Sequence, residues 1–327
     1  MSSGGASEIG IARYSERDRQ RWDDFVEQSQ QGTLFHTRAF LAYHPPARFT
    51  DASLLFFKKG NLIAVLPAEA GVVEGQKVLR SHPGASFAGL ATMPLALRDA
   101  THLVDALQQF CRREGYAAIE LNPPPACYFS CADNVLEFAC YRAGFRYARR
   151  ECTQAVCLPD NPSGVTERFH PEFQRKIRRA QRLGVRVQET DDLAGFYEIL
   201  SDNLARKHAA TPVHTLAELL DLRERLPGRI RLLAGYVAGR MIAGYLLFVC
   251  NRRVALAFYI SLLYEYQHFR AINLLAQEAM LRCGREGLAY FDFGSSTISG
   301  EPNWGLVDFR ESAGACGFWR DRLRVDL

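Results

Sequence analysis

No apolar run in the 327 residues reaches the length of a membrane-spanning helix. The opening, M-S-S-G-G-A-S-E-I-G, lacks the basic region and apolar core of a signal peptide. A cytoplasmic protein with no membrane span is therefore expected. The nine cysteines are odd in number and have none of the regular spacing of a disulfide framework. Cys111, Cys140, Cys250 and Cys283 sit in apolar helix or strand patterns and read as reduced core residues. The nearest approach to a metal pair is Cys127 with Cys131, and neither a second pair nor a nearby histidine accompanies it, so no metal is expected. No Ser-His-Asp or Cys-His arrangement is present, which argues against a covalent enzyme intermediate. Asp292-Phe293-Gly294 spells D-F-G, but without a catalytic-loop motif or glycine-rich phosphate loop it is no kinase signature.

What is present is an ordinary globular composition, 48% hydrophobic and 23% charged, with a net charge of only +4. The length suits two domains. Short segments recur in the same order. C-R-R-E-G-Y-A-A-I-E-L at Cys111–Leu121 returns 172 residues later as C-G-R-E-G-L-A-Y-F-D-F at Cys283–Phe293. G-N-L-I-A at Gly60–Ala64 returns as G-R-M-I-A at Gly239–Ala243, and A-G-F at Ala143–Phe145 as C-G-F at Cys316–Phe318. Repeats bear directly on architecture, and these suggest an internal duplication.

Helices and strands alternate along the chain. Ser15–Gln28 and Thr33–Tyr43 read as helices, and Asp51–Lys58 and Leu62–Pro67 as strands around a Gly60-Asn61 turn. Ser81–Leu90 is a loop of small residues, either a tight surface loop or a pocket wall. Ala100–Arg113 is an amphipathic helix, Ala117–Leu121 its following strand, and Ala139–Leu158 the last strands of the first half. In the second half, helices span Asp192–Lys207 and a segment capped by Thr215 with Glu218. Strands follow at Ile230–Val237, Met241–Val249 and Val254–Ile260, then a helix from about Ala271 to Arg285 and strands Tyr290–Phe293 and Cys316–Val325.

Positive charge collects at the join. Between Arg168 and Val187 stand Arg168, Arg175, Lys176, Arg178, Arg179, Arg182 and Arg186, against Glu172 alone. Phe173, Ile177 and Ala180 form an apolar stripe, so the helix lies on a core and turns its cations outward, with Gly184 as its stop. Such a run is either a solvated face or an anion-binding helix for a phosphate-bearing cofactor, RNA or an acidic metabolite.

The order helix, helix, three-stranded meander, helix, strand resembles the GNAT acyltransferase fold. The chain resembles the FemAB-related proteins, built of two GNAT-like domains in tandem. The matching pieces are R-K-I-R-R-A-Q-R-L-G-V at Arg175–Val185, T-P-V-H ending at His214, Y-F-D-F-G-S-S at Tyr290–Ser296 and G-L-V-D-F-R-E-S-A-G at Gly305–Gly314. The resemblance implies an α+β fold of two tandem GNAT-like domains, each a mostly antiparallel central sheet flanked by helices. They would span residues 10–158 and 185–327, with a linker and basic helix at 159–184 and the active site in the second. Arg310 stands where the motif usually has lysine, and the inserted coiled-coil arm of some family members is missing.

The implied activity is N-acyl transfer from acyl-CoA or aminoacyl-tRNA to a small-molecule amine of cell-envelope or polysaccharide type. The alternative is a non-catalytic RNA- or carrier-binding module on degenerate GNAT domains. Acyl transfer needs a deprotonated amine, a polarised carbonyl and alignment of the two. Asp292 is the candidate carboxylate near the amine, or else a structural acceptor for its own loop, and Tyr259 the candidate proton donor or else a core residue. A phosphate-bearing cofactor would lie at the helix start formed by Gln267, Phe269, Arg270 and Ala271, an imperfect cradle without glycine, aided by Arg175, Lys176, Arg178 and Arg179. Lys207, His208, Ser295, Asn303, Trp304 and Arg310 are candidate substrate contacts. The first half has Glu120-Leu121-Asn122-Pro123-Pro124 where the second has Asp292–Ser296, and its prolines remove backbone donors an anion could use.

Overall fold

A computed structural model describes residues 9–45, 47–159, 161–208 and 210–327, the side chains at 162, 163, 207 and 208 excepted. The architecture is α+β, with mixed sheet flanked by helices. The chain divides into two compact units. One comprises the chain to Glu151 together with Trp319–Leu327, and the other Cys152–Phe318.

The first unit opens with β1 (Ile9–Arg13), α1 (Arg19–Gln28) and the single turn α2 (Arg38–Leu41). Four strands follow, β2 (Leu54–Lys58), β3 (Asn61–Leu66), β4 (Ala68–Val73) and β5 (Gln76–Ser81), then β6 (Ala91–Thr92). After these come α3 (Leu97–Arg113), β7 (Ala118–Leu121), α4 (Val135–Arg142) and β8 (Arg146–Cys157), whose residues from Cys152 belong to the second unit. Strands β1, β2, β3 and β6 form one antiparallel sheet. Beside β4 and β5, α3 returns β7 parallel to β5, and the chain's final residues pair antiparallel with β7, Leu323 opposite Leu121. Leu103, Val104 and Leu107 of α3 have no exposed surface, and each such side chain contributes about 1.5–3 kcal/mol of burial.

Three local expectations change here. The segment Thr33–Tyr43 is two short pieces, a 3₁₀ turn Leu34–His36 and α2, because Thr37 is extended and caps α2 through its side chain. Ala139–Leu158 begins as helix α4 and contains one strand, since Gly144 at φ 89° turns the chain out of the helix. The loop Ser81–Leu90 is largely buried, with Gly89 tight against Pro123.

The second unit starts with α5 (Pro171–Arg182), β9 (Arg186–Thr190), α6 (Leu193–His208) and α7 (Leu216–Arg225). The meander β10 (Ile230–Val237), β11 (Arg240–Val249) and β12 (Val254–Leu262) precedes α8 (Ala271–Arg285) and β13 (Tyr290–Ser295). A small hairpin, β14 (Thr297–Ile298) with β15 (Glu301–Pro302), leads to α9 (Trp304–Ser312) and β16 (Cys316–Asp326), whose residues from Trp319 belong to the first unit. The strand order is β8-β13-β12-β11-β10-β9, antiparallel except for the β12–β13 pair. Helix α8 packs on the meander through Leu275, Ala276 and Ala279, while Phe173, Ile177 and Ala180 of α5 join the same core. On the other face Phe196 of α6 lies so close to Gly244 that a Cβ there would sit 2.6 Å from its ring.

Two of the three sequence echoes occupy like local structures. Lys59-Gly60 and Ala238-Gly239 both turn their hairpins with paired positive φ values (50° and 80°, 49° and 81°). Each hairpin carries a bulge at the same offset, with Ile63 the extra residue in one and Ile242 in the other. Helices α3 and α8 end alike: the Tyr116 N–H reaches the Cys111 carbonyl at 2.9 Å, the Leu288 N–H that of Cys283 at 3.0 Å, each around a positive-φ glycine. The third echo is displaced. Cys316–Phe318 lies in strand β16, whereas the counterpart of the Gly144 turn is Gly314 at φ 82°, where the Ala315 N–H closes α9 onto the Arg310 carbonyl.

Candidate functional site

The parallel pairing of β12 with β13 covers Val254, Ala255 and Leu256 opposite Tyr290, Phe291 and Asp292, and goes no further. From Ala257 onward the β12 edge has left that ladder. On its other edge the β11–β12 register slips, Leu246 facing Tyr259 and Leu247 facing Ala257, so that Phe258 is the extra residue of a bulge. The bulge turns Tyr259 and Ser261 toward α6 and its loop, while Ile260 and Leu262 pack on the α8 side.

Helix α8 starts just beyond β12. Its lead-in, Tyr264–Phe269, is a 3₁₀ stretch, and Arg270 takes a left-handed φ of 59° at the N-cap without any side-chain cap. That conformation costs a non-glycine residue about 1–2 kcal/mol. Hydrogen bonds from the Arg270 N–H to the Gln267 carbonyl (3.1 Å) and from the Asn273 N–H to the Arg270 carbonyl (3.1 Å) hold it. Gln267 is exposed, Phe269 and Arg270 half-buried and Ala271 buried, so these four candidates form the helix entrance together. Helix α5 comes to the same place, the Arg179 guanidinium donating to the His268 carbonyl at 3.0 Å. Arg175, Arg178, Arg179 and Arg182 are exposed, and Lys176 pairs with Glu172 at 3.0 Å. Asn273, 5% exposed in the first turn of α8, has an amide nitrogen with no hydrogen-bond partner among the described residues. One turn on, the same holds for the amide oxygen of Gln277.

Beyond Asp292, β13 bulges against β8 around Gly294, whose φ is 85°. Asp292 has no exposed surface. Its Oδ1 accepts the Gly294 N–H and the Thr153 hydroxyl, both at 2.7 Å. Arg310 arrives from α9, 6% exposed, and donates to the carbonyls of Phe293 and Gly294 at 2.8 Å and to the Ser296 hydroxyl at 2.6 Å. Burial lowers the Arg310 pKa, and the Asp292 charge opposes that shift. Asp292 and Arg310 thus brace the turn from inside; among the described contacts Arg310 serves its own chain. Ser295 donates to the Thr297 carbonyl at 2.9 Å, and Asn303 caps α9 by accepting the Leu306 N–H. Trp304 is 67% exposed. Helix α9 stands between the strands expected at Tyr290–Phe293 and Cys316–Val325, a segment to which the sequence assigned no helix; Asn303 as cap and Gly314 as stop were its signals.

Tyr259 is tied to the α6–α7 connection. Its oxygen accepts the His214 N–H at 3.2 Å and lies 3.0 Å from His214 Nδ1, and burial raises its pKa to about 12. His214 and Thr153 belong to this candidate site and were not singled out from the sequence. T-P-V-H immediately before the Thr215 cap pointed to His214, whereas Thr153 lies 139 residues from Asp292 and left no local signal. Lys207 and His208 fall outside the residues whose side chains are described. Among the described residues no cluster of His, Cys, Asp or Glu could hold a metal, and no helix is long and apolar enough to cross a membrane.

Residues 168–302 match the acetyltransferase (GNAT) domain family. The GNAT match runs from the approach to α5 to the end of β15 and so contains the β12 edge, the α8 entrance and the Asp292 turn. No curated protein matches the chain. Among solved structures, FemX is similar over 97% of both chains, with TM-score 0.75 and 13% identity. The C-terminal domain of a putative lysylphosphatidylglycerol synthetase from Agrobacterium fabrum has TM-score 0.61 and 12% identity over 94% of this chain and 92% of its own. A tandem GNAT protein from the clavulanic acid biosynthesis pathway has TM-score 0.53 and 12% identity over 98% of each. At these identities the similarity is one of fold.

Proposed function

We propose that the chain is an N-acyltransferase of the GNAT type, with its chemistry in the second unit and two duplicated GNAT-like domains, residues 10–158 and 185–327. The observation that carries this reading is the junction of Arg179 with the entrance of α8, inside the GNAT-matched segment and beside the free edge of β12. Cations, uncapped helix N–H groups and the unpartnered Asn273 amide suit a phosphate-bearing carrier, coenzyme A or aminoacyl-tRNA. When bound, that carrier would supply an activated acyl carbonyl. The chain's own contribution is then threefold. Arg179 and the first turn of α8 hold the phosphates. Backbone groups on the β12 edge from Ala257 onward polarise the carbonyl. The Asp292–Arg310 brace keeps the facing turn of β13 rigid, so that the acceptor amine meets the carbonyl in a fixed geometry.

Tyr259 lies on the opposite side of the β12 bulge from α8, and its role in this reading is to shape the acceptor side together with His214. The acceptor class, an amine of a cell-envelope or polysaccharide-related small molecule, follows from the family resemblance.

The test is a binding screen of acyl-CoA thioesters and charged transfer RNAs against the purified chain at two salt concentrations, followed by turnover with amine acceptors. Transfer RNA held across several phosphates should weaken steeply with salt, and a single pyrophosphate far less. Binding of neither carrier would sink the proposal. Binding without turnover on any amine would favour a carrier-binding module.

A further inference from the structure

Apart from the α8 entrance, the first unit carries an unusual surface. The Arg150 guanidinium lies 3.9 Å from the Tyr147 ring centroid and 4.4 Å from that of Trp319. Two hydrogen bonds of 2.8 Å to the Asp321 carboxylate fix its plane. A cation held against two rings makes a stiff ledge, because guanidinium and aromatic faces attract and the bidentate pair removes rotation. Yet the rings are not core: Trp319 is 60% exposed and Tyr147 44%.

Cations outnumber acids in the two strand segments of the ledge, although Glu137 accepts the Tyr147 hydroxyl and Glu120 and Asp326 pair with Arg324. Arg146–Glu151 and Trp319–Arg324 together hold six arginines against Glu151 and Asp321. Both acids are taken, Glu151 by Arg149 and Asp321 by Arg150, whereas Arg146 and Arg322 are exposed and form no ion pair among the described residues. An apolar partner would not call for that excess, and a simple anion would not call for an exposed indole.

We infer that the Tyr147–Arg150–Trp319 ledge is a binding site for single-stranded nucleic acid, a base stacking on the exposed indole face while Arg146, next to Tyr147 in the chain, meets a flanking phosphate. The pairing of aromatic platform and cations is what unstacked nucleotides require, and stacking tolerates any base because every base has a π face. The site is independent of the acyl-transfer reading, since it uses no residue placed in that machinery and its test involves no acyl donor.

The experiment measures binding of a fluorescein-labelled ten-nucleotide oligouridylate to the full chain by anisotropy, at low and moderate salt. Inorganic polyphosphate serves as a base-free polyanion. Trp319→Ala should weaken the oligonucleotide by roughly five- to 150-fold, the loss of one stacked base, and leave polyphosphate binding unchanged. Trp319→Phe should recover most of the affinity, which also separates stacking from any folding defect. Arg146→Glu should weaken both ligands and flatten the salt dependence. Absence of oligonucleotide binding at low salt, equal affinity in Trp319→Ala, or equal losses for oligonucleotide and polyphosphate would each overturn the inference. So would preference for an anionic glycan over the oligonucleotide.

Discussion

Arg179, on the cationic face of α5, donates to the main-chain carbonyl of His268, three residues before α8 begins. Two features that suit phosphate separately, a cationic helix and a helix N-terminus, therefore meet at one point. If that point holds the donor, replacing Arg175, Lys176, Arg178 and Arg179 together with alanine should raise the donor Kd at least about tenfold, the loss of a few charge-assisted contacts. Stability should fall by no more than about 0.5 kcal/mol per position, because the three arginines are exposed and Lys176 is half-buried in a single surface ion pair with Glu172. Calorimetric titration with acyl-CoA and charged transfer RNA, beside a urea melt, separates the two effects. An unchanged donor affinity would make α5 a solvated face.

Arg310 is expected to behave as a buried brace. Arg310→Ala strips donors from the carbonyls of Phe293 and Gly294 and leaves the Asp292 charge buried without its counter-charge. A loss of about 1–3 kcal/mol follows for each buried carbonyl left unsatisfied. Arg310→Lys should recover only part of it, because an ammonium cannot reproduce the planar fork. Urea unfolding of the two variants tests the order, and wild-type stability in Arg310→Ala would refute it.

Asp292→Asn keeps an oxygen to accept the Gly294 N–H and the Thr153 hydroxyl but removes the charge. The expected cost is about 1–3 kcal/mol, seen as a lower Tm. Turnover at saturating donor should fall in proportion to loss of folded protein if the carboxylate only braces the turn. A fall of several orders of magnitude in fully folded Asp292→Asn would instead place the carboxylate at the amine.

Two histidines of the first unit should govern its acid stability. Burial lowers the pKa of His36 to about 4, and burial, with the neighbouring His44 next in order, lowers that of His82 to about 3, from an ordinary 6.5. The unfolded chain therefore binds more protons below pH 6.5, and stability falls as pH drops from 6.5 toward 4, by about 1.4 kcal/mol per pH unit for each histidine. Above pH 6.5 their contribution is complete. His36→Gln should remove one proton's worth of slope in urea titrations between pH 6.5 and 4.5; an unchanged slope would show that His36 does not titrate as a buried neutral ring.

The α+β class and the meander–helix–strand order were legible because they are local. Apolar runs at Ile230–Val237 and Val254–Leu262, a capping box at Thr215 and a glycine stop at Gly287 act within one or two turns of chain. The stripe Phe173, Ile177, Ala180 likewise gave α5 its buried face, since helical periodicity alone selects it. What lay beyond sequence was every decision made by pairing. The Phe258 bulge, which turns Tyr259 toward His214 and away from α8, depends on the register with β11. The burial of Asp292 depends on Thr153, and the placement of Arg179 at the α8 entrance on two helices sharing one core. Each of these is set by which surfaces can close together over a common core, and residues far apart in the chain carry no local trace of that choice.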